Sequence, residues 1–88
     1  MTENKAVDNS ALSRYELMTD GFLSIADYKK SGNIIAVTHV EVPTELRGRG
    51  VAAQLMAAIV LDAKAQNLTI NPICPYAASY LQKHGINA

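Results

Sequence analysis

A candidate ligand-binding loop spans Glu45–Gly50. It reads Glu-Leu-Arg-Gly-Arg-Gly and lies between a β-like run and a helical pattern. The first N–H groups of a helix lack internal acceptors and carry the positive end of the helix dipole. Gly48 and Gly50 leave the backbone bare, so a phosphate can approach these donors. Arg47 and Arg49 add charge-assisted hydrogen bonds. The loop therefore predicts an anion site suited to a pyrophosphate.

Other phosphate motifs fit this loop less well. Gly48–Ala53 also satisfies the dinucleotide pattern Gly-x-Gly-x-x-Ala, but Asn71-Pro72 stands where that motif needs an acidic residue. The chain is also too short for a doubly wound sheet. The Gly-Lys-Ser/Thr of a P-loop is absent. The remaining alternative is a plain connector with two glycines for geometry and two solvated arginines.

Three side chains elsewhere are candidates for catalysis. Pro75 is expected at the first position of a helix, so Cys74 becomes its N-cap, where the dipole and free amides would favour a thiolate. Cys74 is then either a nucleophile or polarising group, or a buried small side chain at a helix start. His39 and Glu41 share a predicted strand face and could relay a proton, the alternative being ordinary sheet positions. One cysteine and two separated histidines give no metal-ligand spacing, so no metal site is predicted.

Three strands are predicted ahead of the loop. Apolar residues on both sides of Thr19-Asp20-Gly21 predict a hairpin, and a second turn follows at Lys29–Asn33. Ile34–Val42 is rich in β-branched residues and is the strongest strand. Strict alternation places on one face of that strand Ile35, Val37, His39 and Glu41.

Two helices and a fourth strand follow the loop. Apolar residues at helical period predict a helix from Val51, with Asn67 as a left-handed stop. Leu68–Ile73 is a short strand, and Tyr76–His84 is a helix closed by Gly85. The order is βββαβα, an α+β fold in which a three-stranded antiparallel meander gains a fourth strand parallel to the third, with the helices packed on the sheet. A flexible tail, residues 1–10, is expected before a single domain, residues 11–88.

Composition narrows the class of protein. The 88 residues suffice for one small domain, and eight basic residues balance eight acidic ones. This balance argues against a nucleic-acid or membrane-surface partner, both of which require excess positive charge. The longest apolar run, Leu55–Leu61, is far too short to span a membrane. A cytoplasmic protein, monomeric or weakly dimeric, is expected.

The segment from His39 to Gly85 resembles the GNAT N-acetyltransferase superfamily, and more closely its small, truncated YjdJ-type branch. In that superfamily, a loop of pattern Gln/Arg-x-x-Gly-x-Gly/Ala binds the pyrophosphate of acetyl-CoA. Here Glu45 stands where Gln or Arg is usual, while both glycines match. The small branch is further marked by His-x-x-Val-Pro and Pro-x-Cys-Pro, which match His39–Pro43 and Pro72–Pro75.

The resemblance implies an acetyl-CoA-dependent N-acetyltransferase. A backbone amide around Val40–Val42 would bind the acetyl carbonyl, and Cys74, Glu41 and His39 are the candidate catalytic residues. The expected acetyl-CoA-binding residues are Val42, Leu46, Arg47, Gly48, Arg49, Gly50, Val51, Ala52, Cys74 and Tyr76. Elements that build the acceptor site in larger relatives are missing, so the acceptor face is expected to be open and to suit a protein or peptide amine. The alternatives are a CoA-binding module without efficient transferase activity and a small interaction domain.

Overall fold

The computed structural model describes residues 5–86 as a five-stranded mixed sheet with two helices. The strands are β1 (Val7–Asn9), β2 (Arg14–Thr19), β3 (Phe22–Ser31), β4 (Ile34–Glu41) and β5 (Thr69–Pro72). The helices are α1 (Val51–Gln66) and α2 (Pro75–Lys83), and a 3-10 turn covers Thr44–Leu46. The strand order is β1-β2-β3-β4-β5, antiparallel except for the β4–β5 pair. The predicted α+β class, with its meander and its parallel last strand, is confirmed.

The N-terminal segment differs from the predicted flexible tail. Val7–Asn9 pair with β2 as an edge strand, while residues 1–4 lie outside the described residues. Two side-chain hydrogen bonds hold this strand. The Tyr28 hydroxyl donates to Asp8 Oδ1 at 2.6 Å, and Asn9 Nδ2 donates to Glu16 Oε2 at 3.1 Å. A strand of three residues is too short to show periodicity, so its pairing depends on partners distant in the sequence.

The element boundaries follow from local backbone chemistry. The β2–β3 hairpin turns at Asp20-Gly21, where both residues have positive φ. Helix α1 lies between the left-handed residues Gly50 and Asn67, which cap its two ends, and the Asn67 N–H donates to the Ala63 and Lys64 carbonyls. Helix α2 has proline in its first turn and Gly85 just beyond its end, as predicted.

The buried core lies on one face of the sheet. Both helices contribute to it, through Leu55, Met56 and Ile59 of α1 and Ala77 and Leu81 of α2. On the strands, buried residues alternate with residues that are exposed or half-buried. The opposite face of β1–β4, which we call the open face, carries no helix among residues 5–86. None of the helices described in these residues has the length and apolar character to cross a membrane.

A β-bulge in β4 corrects the predicted face assignment. Val37 pairs with Tyr28 and His39 pairs with Asp27, so Thr38 is an extra residue in the ladder. Ile35 and Val37 therefore point into the core, whereas His39 and Glu41 lie on the open face. The prediction that these four residues share one face was wrong, because strict alternation assumes a regular ladder.

Candidate functional site

The Gly/Arg loop presents a row of backbone N–H groups at the start of α1. The first helical hydrogen bond runs from the Gln54 N–H to the Gly50 carbonyl at 3.1 Å. Five N–H groups before Gln54 donate to no backbone acceptor within residues 5–86. They belong to Gly48, Gly50, Val51, Ala52 and Ala53. These five groups, with the positive end of a 16-residue helix behind them, make the loop an anion-binding surface.

Two glycines and one leucine set the shape of this loop. Gly48 and Gly50 have φ of 81° and 74°, which side chains other than glycine rarely adopt. A Cβ built on either glycine meets no protein atom within 4 Å, so both face open space. Between the strand and these glycines, Leu46 is 1% exposed and belongs to the core. The loop is therefore fixed by one buried side chain and bare where a ligand can approach.

A cavity of about 180 Å³ lies against these amides. Eight residues predicted to bind the cofactor line it, together with Ala53, which the sequence analysis missed although it belongs to the same first helical turn. Burial and nearby Tyr80 raise the pKa of Tyr76 above its ordinary value, so its hydroxyl is neutral and available to donate. The lining residues are Val42, Leu46, Arg47, Gly48, Gly50, Val51, Ala52, Ala53 and Tyr76.

The two arginines of the loop differ in their surroundings. Arg47 lines the cavity and supplies positive charge beside the free amides. Arg49 instead forms an ion pair with Asp20 of the β2–β3 turn, with Arg49 Nη2 2.8 Å from Asp20 Oδ2. The turn and the loop meet because β3 begins at the end of the sheet where β4 stops. The predicted ligand contact of Arg49 therefore competes with an acidic side chain of the protein.

The second half of β4 has one unpaired edge beside the cavity. Strand β5 pairs with β4 only from Ile34 to Val37, where the Ile73 and Cys74 N–H groups both donate to the Val37 carbonyl. Beyond that point, no strand described in residues 5–86 pairs with this edge of Thr38–Glu41. Past Val37 the pairing of β4 and β5 therefore ends, and the unpaired edge of β4 leads towards Val42 at the cavity.

The three predicted catalytic side chains are divided between the two faces of the sheet. Cys74 is 8% exposed, starts α2 and belongs to the core cluster. His39 and Glu41 lie on the open face, with His39 Nε2 3.2 Å from Glu41 Oε1. Both are more than half exposed. The structure thus brings His39 and Glu41 together and places Cys74 apart from them. Within residues 5–86, no three His, Cys, Asp or Glu residues are grouped to hold a metal ion.

The comparisons with known proteins agree with this geometry. A family model described as GCN5-related N-acetyl-transferase matches residues 14–87. The solution structure of a GCN5-like candidate N-acetyltransferase from Staphylococcus aureus superposes with a TM-score of 0.74 at 26% identity, over 96% of this chain and 83% of that one. No curated protein matches significantly. The family match, residues 14–87, covers most of the chain. The chain therefore belongs to the GCN5-related N-acetyltransferase family.

Proposed function

We propose that this protein binds acetyl-CoA at the Gly/Arg loop and transfers its acetyl group to an amine. The observation that carries the proposal is the set of five free N–H groups lining a cavity beside the unpaired edge of β4. Donors without internal acceptors suit a pyrophosphate, and an unpaired strand edge suits the amide-bearing pantetheine arm. The YjdJ-type branch remains a prediction, since the family match is broader than that branch.

The residues present fit acetyl-CoA in charge and shape. Arg47 and the amides would hold the pyrophosphate, and Leu46, Val42 and Tyr76 would contact the pantetheine arm, with Cys74 near the end of β5. Acetyl-CoA supplies the acetyl group as a thioester. A backbone amide around Val40–Val42, at the end of β4, would bind the acetyl carbonyl. The absence of large side chains at positions 48, 50, 52 and 53 keeps the approach to the helix start open.

The amine proton is taken up on the open face. With a hydrogen on Nε2, the His39 ring donates to Glu41 Oε1, which leaves Nδ1 as the acceptor for the amine proton. Overall, one N–C bond forms, one C–S bond breaks, and a proton passes from the nitrogen to the sulfur. Cys74, predicted to be either acylated or assisting, is buried on the other face, and this favours the assisting role.

Calorimetry with acetyl-CoA tests the binding step. We expect Gly50→Val to weaken binding by at least about tenfold, because the new side chain enters the ligand space and the positive φ is strained. Gly32→Val is the matched control, since Gly32 also has positive φ, with open space around it, in the β3–β4 turn. Equal loss in both variants, or no binding by the wild type at millimolar acetyl-CoA, would contradict the proposal.

The placement of the candidate catalytic residues favours a second function for the same site. Because Cys74 and the His39–Glu41 pair lie on different faces, the protein could bind CoA or acetyl-CoA without efficient transfer. A screen of amines and peptides for CoA release separates the two functions. Binding without acetyl-transfer to any amine supports the binding module, whereas release that requires an amine supports the transferase. Intact mass after incubation with acetyl-CoA shows whether Cys74 is acylated.

A further inference from the structure

The open face of β1–β4 combines apolar side chains with carboxylates. One row crosses all four antiparallel strands, with Val7 opposite Glu16, Glu16 opposite Ile25, and Ile25 opposite Glu41. Met18 and Leu23 form the next pair towards the β2–β3 turn. Three of these apolar side chains are well exposed, Val7 at 60%, Met18 at 53% and Leu23 at 38%. Scattered exposed apolar residues are ordinary, but here they are contiguous.

The apolar residues line a depression of about 260 Å³, formed by Lys5, Val7, Glu16, Met18 and Leu23. It lies on β1–β3, at the far side of the open face from the unpaired edge of β4. Val7 and Glu41 end the same cross-strand row, so three strand spacings, roughly 14 Å, separate them. That distance corresponds to about four residues of extended chain. A single extended peptide can therefore occupy the depression and contact Glu41 at the same time.

The charges of this face select the chemistry of such a peptide. Arg14 Nε lies 2.7 Å from Glu16 Oε2, so these two charges neutralise each other. Lys29 lies two residues beyond Asp27 on the same face of β3, opposite Ala36, and Lys5 lies at the rim of the depression. On the open face, Asp27 lies opposite Arg14 of β2 on one side and His39 of β4 on the other, and Glu41 lies beside His39 near the unpaired edge of β4.

Neither carboxylate has a lysine or arginine partner among the described residues. An approaching ammonium group therefore meets two carboxylates there.

We propose that the open face docks an extended protein segment that carries an apolar side chain in the depression and, about four residues further along, a lysine at Asp27 and Glu41. The proposal rests on the proposed function, because it identifies that lysine as the amine that receives the acetyl group. The bulge at Thr38 is what permits it, since His39 and Glu41 share this face with the depression. The cavity of the Gly/Arg loop begins at Val42, directly after this half of β4.

The test uses an N-acetylated peptide, Leu-Ser-Leu-Ser-Lys-Ser-amide, whose only amine is the lysine. It is titrated into the isotope-labelled full chain, and backbone amide shifts are followed by NMR. We expect shifts at Val7, Met18, Leu23, Asp27 and Glu41. The peptide with Glu in place of Lys, and the peptide with Ser in place of both Leu, should each bind at least about tenfold more weakly.

Substitutions on the open face test the same docking from the protein side. Leu23→Lys removes an apolar contact and repels the peptide, so affinity should fall about tenfold, with Met18→Lys as an independent variant at a more exposed position. Ile34→Lys is the matched control, because Ile34 is 42% exposed on the same face of β4 but lies beside the β3–β4 turn. An equal loss in Ile34→Lys would overturn the proposal, as would shifts confined to the helices.

Two further outcomes separate this inference from the proposed function. Acetyl-CoA binding by calorimetry with no peptide shifts at millimolar peptide would overturn the docking surface alone. Peptide shifts on the open face with no acetyl-CoA binding would refute the proposed function and, with it, the role of the lysine as acetyl acceptor. Sedimentation that shows a dimer broken by Leu23→Lys would replace the peptide by a second copy of this chain, and so overturn the proposal.

Discussion

The first half of β4, Ile34–Val37, is paired with a strand on each side, whereas the second half, Thr38–Glu41, is paired with β3 alone. The first half sends Ile35 and Val37 into the core at 1% and 0% exposure. In the second half, His39 and Glu41 are exposed and Val40 is only half-buried. One continuous strand thus holds the fold together at its start and leaves backbone and side chains available at its end. The bulge separates the two halves.

The largest expected effect is a loss of stability caused by a substitution in the first half of β4. Ile35→Ala should lower the free energy of unfolding by about 2–5 kcal/mol, because it removes a fully buried side chain between the sheet and the helices. Chemical denaturation measures this change. Thr38→Ala, in the second half, should stay within about 0.5 kcal/mol of the wild type. A similar loss in the free energy of unfolding for both variants would show that the two halves of β4 contribute equally to the stability of the fold.

The next largest effect is on the acetyl-transfer rate, through a substitution in the second half of β4. Glu41→Gln should lower the acetyl-transfer rate by about a hundredfold or more, because the carboxylate that orients His39 is lost. The free energy of unfolding should change by less than about 0.5 kcal/mol, because Glu41 is exposed. Single-turnover kinetics with an amine acceptor and a denaturation curve provide the two readouts. An unchanged rate would remove Glu41 from the proposed proton path.

Deleting Thr38 tests the bulge itself. Because Thr38 is the extra residue, its removal leaves Val37 opposite Tyr28 and His39 opposite Asp27, so the fold and both faces should persist. The unpaired edge, however, should straighten along β5, and acetyl-CoA affinity should fall by about tenfold, as expected when a bulge next to a site is removed. Calorimetry measures this. Wild-type affinity in the deletion variant would show that the bulge does not shape the ligand site.

The smallest effect is a pH-dependent one at Tyr28, which faces Val37 where the two halves meet. Burial, and secondarily the hydrogen bond to Asp8, raises the pKa of Tyr28 from 10.0 to about 12. The neutral form is therefore favoured in the folded state. Its contribution is complete below pH 10 and is lost as the pH rises from 10 to about 12.

Tyr28→Phe should cost about 1 kcal/mol at pH 7 through the lost hydrogen bond. The difference in stability between wild type and variant should shrink between pH 10 and 12. Denaturation curves measured at several pH values test this. A difference that grows with pH would contradict the direction of the shift. Tyr15, whose pKa is also raised by burial and by its hydrogen bond to Asp62, stays in both proteins and affects them alike.

Much of the fold could be predicted because local signals and tertiary packing agree in this chain. Helix α1 begins at Val51 and ends before Asn67 as predicted, since Gly50 and Asn67 both supply left-handed conformations. The Asp20-Gly21 hairpin and the Pro75 helix start follow from equally local chemistry. The loop glycines were likewise recognisable, because their positive φ and their position before a helix are properties of the segment alone.

Three features could not be predicted, because each depends on residues far apart in the sequence. The bulge at Thr38 reflects how β3 and β4 pair, and no glycine or proline within Ile34–Glu41 marks its position. Strand β1 depends on Tyr28 reaching Asp8. The Arg49–Asp20 ion pair depends on the hairpin turn lying beside the loop. The expected monomer or weak homodimer, the cytoplasmic location and the roles of Cys74, His39 and Glu41 stay predictions.

The five free N–H groups at the start of α1 also make the site observable by amide hydrogen exchange. An amide with no acceptor exchanges its hydrogen with solvent quickly, even in a fully folded protein, whereas amides paired in β3 and β4 exchange only when the sheet opens. Gly48, Gly50 and Val51–Ala53 should thus be among the fastest-exchanging positions near the core, despite Leu46 being buried beside them. A bound phosphate would slow hydrogen exchange at these five residues, so their protection would report occupancy residue by residue.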